Sequence, residues 1–443
     1  MLMEFKVKNF KTFVEEIIFS MIPAPKIQDI KYSVLKQRIA NKEHRALSSA
    51  VIYGPNAAGK TNIISAMEVL KSIVLSGNIK NESSILNTPN ETVRKLELMP
   101  NVKNTNVVPV EFGIKFIEND LLFKYTLRLD IGGFFDESYE RKILSERLFV
   151  NEKMIFDRCD TIEIGDVSVI KNHLINNFNR SVSEKMAKSN LDATELFLTN
   201  MFKSVFSKDL TDIIVKWFKE KFMCVYQSNR MIIGISGIGK KSKNVAIISK
   251  TMDEAIKHFG INANDIAYIA DKDTTETVPY SMLQISGKKI AAIPIEIYES
   301  YGTERFLNMF PLVLQALEMG ATLVIDEFDA SIHPMAIMSI IGAFHNDEIN
   351  KNNAQLIFNT HNPIFLNKNL FRRDEIKFID RDDETGHSTY YSLSDFKTSG
   401  PYGVRNTDDY LKNYFINQYG SIRNIDFSDI LRSNLQEVSG EEV

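Results

Sequence analysis

The residues Gly54-Pro-Asn-Ala-Ala-Gly59-Lys60-Thr61 constrain the fold more than any other stretch of the chain. They follow a short apolar run, Ser49-Ala-Val-Ile-Tyr53, and precede apolar residues at three- and four-residue spacing from Ile63 to Ile73. The first pattern predicts a buried strand and the second an amphipathic helix. A loop with glycine near each end, between such a strand and such a helix, turns backbone N–H groups inward and makes an anion site at a helix N-terminus. Lys60 then reaches the β and γ phosphates of a nucleotide, and the Thr61 hydroxyl binds Mg²⁺. Gly54, Pro55, Asn56, Ala57, Ala58, Gly59, Lys60 and Thr61 are therefore the expected phosphate-binding residues.

Three further elements fit that loop. In Leu323-Val-Ile-Asp326-Glu327 a strand delivers Asp326 to the Mg²⁺ shell, and Glu327 can polarise a water in line with the γ-phosphate. The separation of 266 positions from Lys60 to Asp326 requires a large insertion within the fold. Asn359-Thr360-His361-Asn362-Pro363 follows an apolar run, Ala354 to Phe358. A histidine at the end of a neighbouring strand can touch the γ-phosphate; taken alone, it reads equally as a buried or capping residue. Ser300 precedes a helical pattern from Thr303 to Met319 and is a natural N-cap, so the start of that helix offers N–H groups to an anion.

Between these elements the chain alternates. Thr322–Ile325, Ala354–Phe358 and Glu375–Ile379 read as short, fully apolar strands separated by helices, which predicts an α/β fold with a parallel sheet covered on both faces. Phe5, Val7, Phe10 and Phe13 predict a half-buried edge ribbon, and Lys26 to Ser49 is polar. From Val107 to Val150 the pattern is β-rich, with turns at Asn119-Asp120 and Gly132-Gly133. Asn151 to Gly260 reads as mostly helical, with one apolar stripe from Leu196 to Phe206 and another from Ile213 to Phe218, both expected to pack in a core. Val278 to Ile297 returns to strand-like patterning, and the tail from Asn434 is polar. The expected divisions are 1–150, an insertion over 151–270, a second lobe over 271–400, and a C-terminal segment over 401–443.

Composition removes several classes. Lys plus Arg is 53 against 57 Asp plus Glu, a net charge of −4, so binding to nucleic acid through bulk basicity is excluded. Cys159 and Cys224 are too few and too far apart for a disulfide scaffold or a cysteine-rich metal site. The start carries Glu4, Lys6 and Lys8, unlike an export signal, and Met309–Ile325 is broken by Pro311, Gln315 and Glu318. The expectation is a cytoplasmic protein without a membrane span.

In this order the four elements resemble the ABC-type ATPase heads of the SMC, RecF and OLD class. Lys60-Thr61-Asn62 followed by Ile63-Ile64-Ser65-Ala66 is similar to that class rather than to ABC transporters. Ser300-x-Gly302-Thr303 resembles its signature motif, and Asp326-Glu327-Phe328-Asp329-Ala330-Ser331-Ile332-His333-Pro334 its Walker B and D-loop. His361 matches its switch histidine. Phe5 to Phe13 resembles the first strand of the family, and Glu146-Arg147-Leu148 a recurring end of its β-lobe. Tyr410 through Ile422 resembles a C-terminal segment of the compact ATPases of bacterial anti-phage modules, such as RloA, AbiL and the AriA component of PARIS.

The resemblance implies a P-loop NTPase with an ABC-ATPase-like head, a β-rich N-terminal lobe and a helical insertion. It implies ATP held by Gly54 through Asn62, Mg²⁺ on Thr61 and Asp326, and catalysis by Glu327, His361 and Lys60. Ser300, Gly302 and Thr303 would act in trans in a homo-oligomer, with Asp329 and Ser331 in the D-loop. The function implied is a sensor or scaffold ATPase of an anti-phage system, triggered by a phage protein or DNA and controlling a separate effector such as a Toprim-type nuclease. A RecF-like DNA-repair clamp is the alternative, and a nucleotide-gated scaffold with negligible turnover a third. No glutamine lies between the phosphate loop and the β-rich stretch to fill the family's Q-loop. Sustained heptads are absent, so no long coiled-coil arm is expected. Asp380, Asp382 and Asp383 fit a solvated turn better than a nuclease site. The helical insertion is the expected partner surface, with structural support of the head as its rival.

Overall fold

A computed structural model describes residues 1–25, 31–39, 41–80, 98–103, 107–133, 139–226, 246–247, 254–255, 266–270, 277–285, 289–400, 403–423, 426–428 and 430–432. The chain opens with β1 (Leu2–Lys8) and β2 (Ile17–Ser20), a hairpin of β3 (Val34–Ile39) and β4 (Lys42–Leu47), and β5 (Ser49–Tyr53), which leads into α1 (Lys60–Ser76). Strands β6 (Val110–Glu118), β7 (Leu121–Asp130), β8 (Lys142–Val150), β9 (Lys153–Arg158) and β10 (Ile162–Ile164) follow. A helical segment contains α2 (Arg180–Ser189) and α3 (Lys208–Lys216) and leads to β11 (Phe222–Val225). Next come β12 (Ala246–Ile247), β13 (Ile266–Ala270), β14 (Thr277–Ile285) and β15 (Lys289–Pro294), which form an antiparallel sheet of their own. The second half continues with α4 (Tyr301–Met319), β16 (Thr322–Ile325), α5 (Pro334–His345), β17 (Gln355–Asn359), β18 (Ile376–Arg381), β19 (Ser388–Ser392) and α6 (Tyr410–Phe415).

The central sheet has the order β11-β16-β17-β5-β18-β19, parallel throughout except for β19. Every residue of β5, β16 and β17 is buried, as expected for parallel strands covered on both faces. The two-residue period decides which face each side chain serves. Ala50, Ile52, Val324, Ile357 and Ile379 join the core that contains Ile63, Met67 and Leu70 of α1. Val51, Tyr53, Leu323, Ile325, Leu356 and Phe358 join the opposite core with Phe306 and Leu307 of α4 and Ile337 and Ile341 of α5. This is the α/β P-loop architecture that the sequence predicts.

The N-terminal lobe is an antiparallel sheet of order β10-β9-β8-β7-β6-β1-β2. Three expectations change here. The first strand is not at an edge: β1 pairs with β2 on one side and β6 on the other. The polar stretch after Lys26 contains the β3–β4 hairpin, which buries Leu35, Ile39 and Ala46 against Met1, Met3 and Ile117. Residues after Asn151, read as helical, continue the sheet through β9 and β10. Asn151 and Glu152 both adopt left-handed backbone (φ 48° and 67°), the geometry of a tight hairpin turn. Phe222–Val225, also inside the stretch read as helical, is a strand of the central sheet beside β16. The parts of that stretch at 227–245, and the tail from Asn434, lie outside the described residues.

The helical segment is built into the lobe. Trp217 stacks on Phe116 of β6 with ring centroids 3.9 Å apart and planes 13° apart, and Lys221 pairs with Glu118 at 2.7 Å. Leu196, Phe197, Phe202 and Phe206 are buried, as are Trp217 and Phe218. Glu146, fully buried, accepts the backbone N–H groups of Phe197 (2.6 Å) and Leu198 (2.9 Å) and the hydroxyl of Tyr125 (2.8 Å), with Arg158 beside it at 3.4 Å. Burial holds this carboxyl above its usual range against the pull of Arg158. The structural-support reading of the insertion thus has direct contacts behind it. A second joint is Gln355 of β17. Its side chain accepts from Leu2 N (2.6 Å) and Thr322 Oγ1 (2.9 Å) and donates to Leu2 O (3.0 Å) and Leu47 O (2.9 Å). All four hydrogen-bonding positions of the amide are used, and they tie the N-terminal lobe to the central sheet. Among the described residues no helix is long and apolar enough to cross a membrane.

Candidate nucleotide site

The phosphate loop leaves the C-terminal end of β5 and closes at Gly59, the N-cap of α1. Two glycines are fixed by space. A Cβ on Gly54 would lie 2.2 Å from the carbonyl oxygen of Ile379, and one on Gly59 (φ 111°) would lie 2.8 Å from Thr12 Oγ1. Lys60 Nζ donates to Gly54 O (2.7 Å) and Pro55 O (3.0 Å), so its ammonium is folded back over the loop where phosphates bind. Burial lowers its pKa to about 8, opposed by Asp326 and Glu327.

Around the loop stand residues that its motif does not contain. Thr12, in the β1–β2 turn, accepts from Asn62 Nδ2 at 2.9 Å, and its carbonyl takes the N–H of Ser388 at 2.9 Å. Ser388 Oγ donates to Ala58 O at 2.6 Å, and Arg381 Nη1 to Ala57 O at 3.2 Å. Ala57 is itself left-handed (φ 61°). The loop is therefore held in shape by the first strand turn and by the β18–β19 hairpin.

Strand β17 lies between the loop strand β5 and the acid strand β16, and this order brings the other groups together. Thr61 Oγ1 donates to Asp326 Oδ1 at 3.0 Å. Asn359, the last residue of β17, donates to the same oxygen at 2.5 Å and accepts the backbone N–H of Glu327. Burial raises the Asp326 pKa, with Asn359 and Thr61 opposing. An octahedral Mg²⁺ with bonds of about 2.1 Å has neighbouring ligand oxygens about 3.0 Å apart, and it takes one or two protein oxygens beside phosphates and water. The Thr61–Asp326 pair fits that ion.

Glu327 has a left-handed backbone (φ 50°), unusual for a side chain of its size. Its N–H is taken by Asn359 and its carbonyl by Nη2 of buried Arg305 on α4. Two bonds thus fix the direction in which the carboxylate leaves the strand. His361 follows two residues after Asn359 and is exposed; partial burial and Lys60 hold its imidazole below the usual range, against Glu327. Lys60, Glu327 and His361 therefore share one electrostatic neighbourhood. Asp329 is raised by burial, opposed by a hydrogen bond to Thr360.

At the start of α4, Ser300 Oγ accepts the N–H of Thr303 at 3.2 Å and meets its hydroxyl at 2.8 Å. A Cβ on Gly302 would lie 2.3 Å from the carbonyl oxygen of Ser331, itself left-handed (φ 63°). The Ser300 end of the helix is thus seated against the Asp329–Ser331 turn of the same chain. Asn359, Arg305, Thr12, Ser388 and Arg381 are the contributors that sequence reasoning left without a role. The only local signal was a polar residue closing an apolar strand, at Asn359. β11 ends beside the acid strand, with Asp326 N donating to Val225 O at 3.0 Å. Gln227, two residues after Val225, lies outside the described residues.

Among curated proteins none matches this sequence. Solved structures that resemble the chain include an SMC head bound to the C-terminal winged-helix domain of ScpA, with 13% identity over 88% of this chain and 97% of that one and a TM-score of 0.38. Others are the SMC head domain of Thermotoga maritima, with 13% identity over 88% and 98% and a TM-score of 0.33, and a Pyrococcus furiosus Smc head with an extended coiled coil bound to the C-terminal domain of ScpA, with 14% identity over 88% and 96% and a TM-score of 0.34. A family model described as "AAA domain, putative AbiEii toxin, Type IV TA system" matches residues 49–367, from the loop strand to beyond His361. That span is well over half of the chain and runs from the phosphate loop through Asp326, Glu327 and His361, with Thr12, Arg381 and Ser388 outside it, so the protein belongs to this family of AAA domains.

Proposed function

We propose that the chain binds ATP with Mg²⁺ and hydrolyses it, and that two copies share each nucleotide. The observation that carries this reading is the convergence of Thr61, Asp326 and Asn359 beside Lys60 at the end of the parallel strands. Loop N–H groups and Lys60 would hold the phosphates, and Thr61 with Asp326 would hold the metal. When bound there, Mg²⁺ would supply charge neutralisation to the phosphates. Glu327, aimed by Asn359 and Arg305, accepts a proton from the attacking water, and His361 donates to the γ-phosphate from the side. Ser300, Gly302 and Thr303 present the N-terminus of α4 to the nucleotide of a second copy, where the helix dipole favours the terminal phosphate.

The Lys60, Asp326 and Glu327 constellation serves phosphoryl chemistry, and if the outcome in the cell is nucleic-acid cleavage we assign that step to another polypeptide. The family description supports a place in a toxin–antitoxin or anti-phage module. We read the chain as its cytoplasmic sensor or scaffold ATPase, triggered by a phage protein or DNA and controlling a separate effector such as a Toprim-type nuclease. The test measures ATP turnover and nuclease activity of the purified chain, then repeats both with whatever co-purifies from the native host. ATPase activity lost in Lys60→Ala, without cleavage of DNA or RNA, is expected. Nucleic-acid cleavage by the chain alone, abolished in Asp326→Ala, would overturn the division of labour.

A further inference from the structure

Strand β4 has one open edge. Within the hairpin, Lys36 stands opposite Arg45, Arg38 opposite Glu43 and Val34 opposite Leu47. Leu47 turns its N–H away from β3 and gives it to Met21 O at 2.6 Å. Backbone groups alternate along a strand, so Arg45 and Glu43 also direct their N–H and C=O groups away from β3. Beyond Met21 the chain parts from this edge. Ile22 N donates to Ser20 Oγ (3.1 Å), Ala24 N donates to Asp374 Oδ2 (2.8 Å), and Pro23 and Pro25 have no N–H to give. A cleft of about 680 Å³ lies between β4 and residues 22–25. Among the described residues no strand but β3 pairs with β4, and an open edge is a template for an added strand.

A strand laid along β4 sends its side chains alternately to the two faces of the hairpin. Each face offers two cations and one acid. Lys36 and Arg45 are neighbours on one, with Glu43 bound to Arg45 at 2.6 Å. Lys42 and His44 are on the other, where Lys115 and Glu152 meet at 3.3 Å and act on His44. The remaining cation of the cleft, Arg372, is matched by Asp374 at 2.8 Å. One positive charge is thus left over on each face.

The complementary charge lies at the far end of the sequence. Residues 426–443 hold five acids and one arginine, so they carry the whole net charge of −4, and residues 1–425 balance. In an extended 433–443 the acids fall on both faces, Glu437 and Glu441 on one and Glu442 on the other. The approach to this segment leaves its own chain at the phosphate-loop end. Arg423 Nη2 donates to Arg381 O at 3.2 Å and pairs with Asp383, whereas Arg372 of the cleft precedes β18, about 20 Å of strand away. Phe427, Ile430 and Leu431 then stand more than 60% exposed. We propose that residues 433–443 of one copy dock as an added strand on β4 of a second copy, by backbone pairing with Glu43 and Arg45 and by acid–cation contacts on both faces. Such a contact is heterologous, so it repeats from copy to copy.

The experiment uses no nucleotide, which separates it from the reading of the ATP site. A fluorescein-labelled peptide of residues 433–443 is titrated, by anisotropy, into the full chain carrying Glu437→Lys/Glu441→Lys/Glu442→Lys, whose own tail should leave the edge open. Saturable binding of one peptide per chain is expected. Lys36→Glu and Lys42→Glu, on opposite faces, should each weaken it by about ten-fold. Glu43→Gln should tighten it by about three-fold, but Glu43→Pro, which removes the same acid together with an outward N–H, should weaken it by about ten-fold. Peptides N-methylated at Val438 or at Ser439 block opposite edges of the added strand, so one should bind and the other should not. They decide the matter if thermal unfolding finds the proline variant unfolded. In sedimentation the wild-type chain should self-associate with rising concentration, and the triple-lysine variant should not. Absence of saturable peptide binding, or equal binding of the two methylated peptides, would overturn the added strand. A wild-type chain that stays monomeric and refuses the peptide would place each tail on its own β4 and overturn the assignment to a second copy.

Discussion

Asn359 Nδ2 donates to Asp326 Oδ1 at 2.5 Å, while the Oδ1 of the same amide takes the N–H of Glu327. One side chain on the intervening strand therefore sets the position of both acids. Asn359→Ala leaves a part-buried N–H and a buried carboxylate each short of a partner, at a cost of about 1–3 kcal/mol. Urea unfolding should show that loss. Turnover should fall while the KM for ATP changes little, because the phosphate contacts come from the loop. A variant with wild-type turnover would show that the Asn359 bridge does not orient Glu327.

Glu327→Gln keeps the shape of the side chain and removes the base. ATP binding should persist and turnover should drop by about 10²–10⁴. Lys60→Ala should instead weaken nucleotide binding. Wild-type hydrolysis in Glu327→Gln, measured by phosphate release, would assign the base elsewhere.

The Lys60 ammonium, lowered to about 8 by burial, gives nucleotide binding a pH dependence. Bound phosphates favour its charged form and raise its pKa, so binding takes up a proton once the pH exceeds about 8. Affinity should fall from pH 7.5 to pH 9.5, up to about ten-fold per pH unit above the free-protein pKa. Titration calorimetry in two buffers of different ionisation enthalpy, near pH 8.5, should detect the uptake. Equal heats in both would show that Lys60 binds nucleotide without changing its protonation.

Gly302 lies so close to Ser331 O that an added Cβ would fall 2.3 Å from it. Gly302→Ala must displace either the start of α4 or the Asp329–Ser331 turn. The loop on the same chain is untouched, so ATP affinity of the isolated chain should hold while turnover is lost. Loss of both together would mean that the helix start supports the loop directly.

If nucleotide is shared between copies, Lys60→Ala and Ser300→Arg chains should each be inactive. Mixed, they should regain at most about a quarter of wild-type turnover, because only the heterodimer assembles one intact site. Light scattering that finds only monomers at micromolar concentration with ATP would refute the shared site.

What the sequence made legible follows the range of the interactions. Gly54–Thr61 could be read because its strand, turn and helix signals are consecutive, and Asp326-Glu327 because the acids end a short apolar strand. The strands over Gln355–Asn359 and Ile376–Arg381 and the helix over Tyr301–Met319 lie within a few residues of their expected places. The bridging of Asn359 was hidden because strand order, not strand identity, puts it between the two acids. Thr12, Ser388 and Arg381 meet the loop across distances of about 50 to 330 residues that no local pattern encodes. β9 and β11 were taken into a helical stretch because short apolar runs carry little periodicity of their own. The Asn151-Glu152 turn was the signal that separates β9 from it.

The neighbours of β5 also set an order of synthesis. Its two flanking strands, β17 and β18, are encoded about 300 residues after it, and the Leu2 backbone waits 353 residues for Gln355. At about 5–20 residues per second a ribosome needs roughly 15–60 s to cover the 302 positions from Tyr53 to Gln355. Throughout it Ser49-Ala-Val-Ile-Tyr53, buried at every position in the finished protein, has no sheet to enter. The nascent chain therefore carries its phosphate-loop strand as exposed apolar backbone for most of translation, and any fragment ending before β17 should require a chaperone to remain in solution.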